Sequence, residues 1–381
     1  VVFRVHAPLI SVTMPRRVMS LLVMVVATAV SAGELQVLPA DFTLYGSEGR
    51  QQLAVVSMQQ GRYGASVPLD RIELRSTDPG VVEVQDGIAV AIGNGRAEIV
   101  AVDREGNEAT SVVRVEHADA RHRWSFRNEV QSVFAKVGCN QGACHGALAG
   151  KGGFKLSLRG YDTEADYRAI TREARGRRIE MADPGRSLIL AKPTGALPHK
   201  GGLKLDPDSR DYEIVSGWIA DGAQPPQPDD PRLTHISVLP ESSLLTPGDQ
   251  SRVLVNAHYD DGRVVDATRW SQFTATDQAV AGVDAEGVVT VAGSGEGAVL
   301  VWFGSKVGLA RMTVPYPYEV AEPVYSESPR RNFIDEINLD QLRTLRLRPS
   351  PRCDDAAFVR RATLDTIGRL PTVQERERFL S

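Results

Sequence analysis

Two stretches of this chain repeat one another, and the repeat limits the fold more than any other feature. Thr77-Asp78-Pro79-Gly80-Val81-Val82-Glu83-Val84 aligns with Thr276-Asp277-Gln278-Ala279-Val280-Ala281-Gly282-Val283. After one inserted residue, Gly87-Ile88-Ala89-Val90-Ala91-Ile92-Gly93-Asn94-Gly95 parallels Gly287-Val288-Val289-Thr290-Val291-Ala292-Gly293-Ser294-Gly295. Upstream, Val37-Leu38-Pro39 parallels Val238-Leu239-Pro240. Each copy alternates apolar and polar residues in short runs, such as Glu98-Ile99-Val100-Ala101-Val102, with turn signals such as Asp260-Asp261-Gly262 between them. Short alternating runs at this spacing predict a β-sandwich in each copy.

At 381 residues the chain has room for several domains. Its 34 glycines and 22 prolines suit turn-rich β modules. A formal net charge of −4 gives no electrostatic case for nucleic acid. At the N-terminus, Arg16 and Arg17 precede the apolar run Val18 to Val30, which is short for a membrane span. Val30-Ser31-Ala32 then offers small residues, so a signal peptide starting at Met14 and cleaved after Ala32 is expected. The mature protein is therefore expected to be exported, whether periplasmic, cell-surface or secreted.

Residues 121–230, between the copies, change to helical patterning. Val130, Val133, Phe134 and Val137 share one helix face over 128–137, with Ser125 as cap and Gly138 as stop. Further helices are predicted over 163–173, opened by Thr163 and Asp166, and over 209–220, where Trp218 is placed to pack across the first. After residue 330, Phe333, Ile334, Ile337 and Leu342 form one amphipathic helix. Asp354 or Asp355 caps a second that stops at Gly368, and Thr372 with Glu375 forms a capping box for a third. Because the sequence stops at Ser381 inside that helix, a fragment of a longer protein is expected.

The chemistry-bearing motif is Cys139-Asn140-Gln141-Gly142-Ala143-Cys144-His145. Covalent haem attachment needs two thiols for two vinyl groups and an adjacent imidazole for the iron, ordinarily spaced C-x-x-C-H. Here four residues separate the cysteines, and Gly142 is expected to allow the longer loop to bulge. Cys139 and Cys144 are the candidate thioether links and His145 the proximal ligand. His199, in a Gly-rich loop, is the favoured sixth ligand and Met181 the alternative. Arg177 and Arg178 are candidates to pair with haem propionates. Two other readings stay open: a Cys139–Cys144 disulfide in an oxidising compartment, and a zinc or copper site completed by His199. The third cysteine, Cys353, is expected to be a small buried side chain. No Ser/His/Asp set, phosphate loop or paired-carboxylate motif supports a hydrolase within these residues.

The repeated residues resemble the bacterial Ig-like domain, group 2, a module of surface and exported proteins that carries no catalytic residues. Residues 121–225 resemble the cytochrome-c-like segments of large exported planctomycete proteins. The matching stretches are Gly138 to Gly146, Gly150 to Leu158, Gly176-Arg177-Arg178, Lys192-Pro193-Thr194-Gly195 and Pro198-His199. Phe358-Val359-Arg360-Arg361 with Leu364-Asp365 and Gly368-Arg369-Leu370-Pro371-Thr372 resembles the opening of a planctomycete domain of unknown function.

These resemblances imply a multidomain chain: two all-β Ig-like sandwiches (33–117 and 233–315) flanking a small α-helical cytochrome-c-like domain (121–230). A signal region (1–32) precedes them, and a linker (316–330) and the start of an α-helical domain (331–381) follow. The implied function is an exported c-type haem-binding protein for electron transfer or redox sensing, with one covalent haem c and an unidentified redox partner. The alternative is a cell-surface structural or adhesion scaffold with a Cys139–Cys144 disulfide and no haem, meeting a surface polymer or protein through the Ig-like modules.

Overall fold

The computed structural model describes residues 34–59 and 61–381; the expected signal region lies outside them. The chain is multidomain and largely β-sandwich-like, with several sheets and a few helices.

The two sequence repeats fold alike, strand for strand. In the first copy, strand Glu34–Leu38 pairs antiparallel with Ala54–Gln59, and the facing sheet runs Asp41–Tyr45, Glu108–Glu116, Gly95–Asp103, Ile72–Ser76. In the second, Leu233–Leu239 pairs with Leu254–Tyr259, and Ser242–Leu244, Lys306–Val314, Gly295–Phe303 and Gln272–Ala275 follow in the same order. Each copy carries one parallel pairing at the same place: Asp41–Tyr45 with Glu108–Glu116, and Ser242–Leu244 with Lys306–Val314. Alternation sends one face of each strand inward. Ser111, Val113 and Val115 point in along Glu108–Glu116, as do Ala310, Met312 and Val314 along Lys306–Val314. Val37, Ile99 and Val113 in one core, and Val255, Val299 and Val301 in the other, are completely buried. Each such side chain contributes roughly 1.5–3 kcal/mol.

The copies flank the helical segment in sequence but pack directly on one another in space. Tyr63 of Arg62–Ser66 pairs with Ser243, which joins strands of both copies into one seven-stranded sheet. Sheet edges carry unpaired N–H and C=O groups that seek partners, and here each copy supplies the other's. The seam is reinforced by three hydrogen bonds. Gln52 N–H donates to Asp266 at 2.7 Å, Arg252 N–H to Ser66 Oγ at 2.8 Å, and the Arg252 guanidinium to Gln52 at 3.1 Å. Leu254 of the second copy is buried with Leu38, Ala54 and Val56 of the first.

The three expected central helices are present. Residues Phe126–Val130 form a π-turn that leads into the α-helix Gln131–Lys136; Ser125 caps the pair, and Gly138, at φ 81°, ends it. Arg210–Ala220 is capped by Ser209, and its Trp218 ring lies 5.2 Å from that of Phe126, the crossing read from sequence. The middle helix, Thr163–Thr171, is capped by Asp162 instead of Thr163. The Thr163 hydroxyl donates to Gln131 instead, and Asp166 accepts from Ser157 and Gln131, so neither is free for a capping box.

Beyond the second copy, the stretch read as a linker carries the short helix Pro323–Ser326, with Tyr325 buried. Helices Phe333–Leu345, Asp355–Ile367 and Val373–Leu380 are capped by Asn332, Asp354 and Thr372, the last two being the expected caps. The first of these does not bury the expected stripe. Phe333, Ile334 and Ile337 are exposed, while Leu339 and Leu345 are buried beside the second copy. Cys353 is exposed, against the expectation of a buried side chain. No described helix is long and apolar enough to cross a membrane.

Leu254 of the second copy is completely buried among residues of the first, with Leu239 packed partly buried beside it. Leu254→Ala is expected to cost about 2–5 kcal/mol and to expose the seam to protease before either core unfolds. Chemical denaturation combined with limited proteolysis measures both effects.

Candidate functional site

The helix that ends at Gly138 delivers Cys139 to the wall of a cavity of about 910 Å³, within the size range of small-molecule and cofactor sites. Cys139 N–H donates back to Phe134 at 2.9 Å, His145 N–H to the Cys139 carbonyl at 2.9 Å, and Cys144 N–H to Gln141 at 2.9 Å. These bonds fold the seven-residue motif into a closed loop, so Cys139, Cys144 and His145 all line the cavity. The glycine this loop depends on is Gly146. A Cβ there would sit 2.1 Å from the Asn140 carbonyl oxygen. At Gly142, expected to allow the bulge, a Cβ would meet only Leu158 at 4.0 Å.

His199 lines the same cavity from the opposite loop. The His145 and His199 rings are nearly parallel, 7° apart, with centroids 6.5 Å from each other. Each is oriented by a backbone carbonyl: His145 Nδ1 lies 3.0 Å from Phe154 O, and His199 Nδ1 lies 2.9 Å from Gly202 O. A carbonyl only accepts, so each Nδ1 carries the proton and Nε2 is the bare nitrogen in the neutral ring. Burial, with the neighbouring His199 adding to it, lowers the pKa of His145 and favours that neutral ring. At Gly201 a Cβ would come within 2.7 Å of the His199 ring, so only glycine leaves room for this orientation.

The sequence placed Arg178 against an anionic ligand, but the structure gives it another task. Its guanidinium is buried, donating to Ala169 O at 2.6 Å and Gly153 O at 2.8 Å, and it lies 4.5 Å over the Phe154 ring. It fixes the segment whose carbonyl orients His145. Arg177 is exposed and lines the cavity. Met181 is exposed and is not among the cavity residues, so His199 is the ligand candidate that shares a cavity with His145.

The two sulfurs are free thiols, and so is Cys353. Burial, then the neighbouring Cys144, pushes the Cys139 thiol up to about 12, and Lys204 acts in the opposite direction. Among the described residues no three His, Cys, Asp or Glu side chains converge on a metal-ion site, so the zinc or copper reading lacks its third and fourth ligands. Leu188, Ile189, Pro193 and Phe154 make the walls apolar. Sequence reasoning missed Phe154 as a positioning group and Lys151, Lys192 and Lys204 as cavity residues. A carbonyl acceptor leaves no residue-type signature, and these lysines follow no period.

Residues 333–381 match the family model PSCyt2, a protein of unknown function (DUF1549), in line with the domain of unknown function expected there. No curated protein matches the chain. Solved structures similar to it include the S-layer protein rSbsC(31-844), at 12% identity over 76% of this chain with a TM-score of 0.20. This chain spans 28% of that protein's length. Others are domains 5-6 of the S-layer protein SbsC (10% identity, 74% of this chain and 96% of that one, TM-score 0.29) and extracellular cadherin domains 1-4 of protocadherin gamma B7 (8%, 74% and 50%, TM-score 0.17). Similarity this low carries nothing about function.

Two outcomes follow from this geometry. Alkylation of the reduced protein near pH 8, followed by mass spectrometry, should label exposed Cys353 first and Cys139 last, because only the thiolate reacts. Arg178→Lys should lower stability by about 1–3 kcal/mol, since an ammonium cannot span both carbonyls; thermal unfolding against the unmodified protein measures it.

Proposed function

We propose that the cavity holds one covalent haem c and that the chain serves electron transfer or redox sensing outside the cytoplasmic membrane. Residues 121–230 would then act as a cytochrome-c-like unit beside the Ig-like modules. The observation that carries this reading is the parallel imidazole pair. The His145 and His199 rings face one cavity with centroids 6.5 Å apart, and both keep Nε2 free for a ligand bond, so the two would suit holding one such group.

Each chain residue has a defined task in this reading. The thiols of Cys139 and Cys144, both free and both on the cavity wall, would hold the group covalently. His145 and His199 would offer imidazole nitrogens to it, and the Phe154 and Gly202 carbonyls orient the two rings. Leu188, Ile189 and Pro193 keep water from the cavity walls. Bound haem would supply a one-electron iron couple, and a second imidazole gives a lower potential than a thioether ligand.

A second reading, a cell-surface scaffold with a Cys139–Cys144 disulfide and no haem, is favoured by a different observation: the continuous sheet that joins both β modules. Surface-protein contacts through these modules belong to that reading.

A reduced pyridine haemochrome spectrum with intact mass, on protein exported by a haem-attaching host, decides between them. The haem reading expects a c-type band and the added mass of one haem, with covalent attachment weakened or lost in Cys144→Ala. A colourless protein two hydrogens lighter than its reduced form would establish the scaffold instead. In the haem-bearing protein, Gly201→Ala should push the His199 ring aside and shift the spectrum from low-spin toward high-spin while the haem stays attached.

A further inference from the structure

We propose that the cavity mouth is a docking surface for an acidic electron-carrier protein, an inference that rests on the haem reading above. The chain as a whole is acidic, at −4, yet the residues lining the cavity include no carboxylate. Lys151, Arg177, Lys192, Lys200 and Lys204 line it with exposed side chains. Arg178, the sixth cation, is turned inward onto backbone carbonyls.

Two porphyrin carboxylates match at most two of the five exposed cations, so the loaded mouth keeps an excess of positive charge. The same loops present bare apolar side chains. Leu203, between Lys200 and Lys204, is 76% exposed, and Leu148, between His145 and Lys151, is 90% exposed. Apolar contact with a surround of one charge sign is what brief electron-transfer encounters use: the charge steers the approach, and the apolar residues let the surfaces meet. At 0.1 M salt a charge acts over about 10 Å, so the cations that line the mouth weigh more on a docking partner than the chain's distant charges.

The test uses the exported, haem-bearing chain in stopped-flow experiments against two small blue-copper proteins, one strongly acidic and one basic. The acidic carrier should exchange electrons roughly tenfold or more faster at low than at high ionic strength, and faster than the basic carrier. Lys151→Glu with Lys200→Glu, checked first for unchanged haem content, should reverse that preference. If the double variant does not load haem, the salt dependence of the unmodified protein still decides.

A basic carrier favoured at low salt would overturn the proposal, because the net charge would then govern. Equal rates with no salt dependence would overturn it too. So would salt-sensitive retention on an anionic polysaccharide with no preference between carriers, which would make the lysines a wall-binding surface. Absence of haem from the exported protein is a separate failure, seen in the spectrum before any rate is measured, and it falls on the functional reading.

Discussion

The pairing of Tyr63 with Ser243 joins two sheets that the chain order keeps far apart, and the helical segment is placed by what that seam brings together. At the start of helix Arg210–Ala220, two consecutive residues reach to different copies. Arg210 forms an ion pair with Glu48 of the first, while Asp211 accepts from Arg269 at 2.6 Å and from the Trp270 indole at 3.1 Å in the second. Asp211 also sits in the first helical turn, where the helix dipole favours an anion. Both contacts hold only if the copies keep their register. The helix so anchored supplies Ile214, Val215, Trp218 and Ile219 to the core that backs Phe126, Val130 and Phe134. The helix carrying Phe134, Gln131–Lys136, is ended by Gly138 and delivers Cys139 to the cavity wall. The position of the first sulfur therefore follows, link by link, from a strand pairing in the two modules.

Much of this was legible in the sequence, because it depends on local pattern. The repeat predicted a β-sandwich in each copy, since alternation decides which face is buried whatever lies further away. Ser125, Asp354 and Thr372 announced helix starts, since a cap acts within one turn. The seam was not legible. Each copy has several open edges, and which two meet depends on side chains such as Gln52, Ser66 and Asp266, whose pattern reads as ordinary polar strand ends. The Phe333 helix shows the same limit from the other side. Its pattern predicts an apolar face, but the partner selects the face, and Leu339 and Leu345 met one.

The site divides along the same line. Cys139, Cys144, His145 and His199 could be named from residue type and spacing, and the structure gathers all four on one cavity. What orients them could not be named, because the work is done by the carbonyls of Phe154, Gly202 and Cys139. Every residue has a carbonyl, so only the fold reveals which one accepts. Arg178 was read as a surface charge for a ligand because a charged pair such as Arg177-Arg178 usually faces solvent. Here five donors in a rigid fork found several carbonyls at once, and that satisfaction is what permits a guanidinium to be buried.

The composition of the cavity narrows what can occupy it. Two imidazoles alone are too few for a divalent ion: zinc takes four ligands, and no third or fourth His, Cys, Asp or Glu converges there among the described residues. An occupant placed between the rings must bring its own remaining donors. It must also be largely apolar to suit walls of Leu188, Ile189, Pro193 and Phe154, and anionic at its rim to suit a lysine-lined mouth. Finally, it must justify two thiols beside one of the imidazoles, one of them held protonated by burial. On the haem reading proposed above, a tetrapyrrole would bring four ring nitrogens, an apolar face, two carboxylates and two vinyl groups to these features, while on the scaffold reading a Cys139–Cys144 disulfide would account for the sulfurs alone.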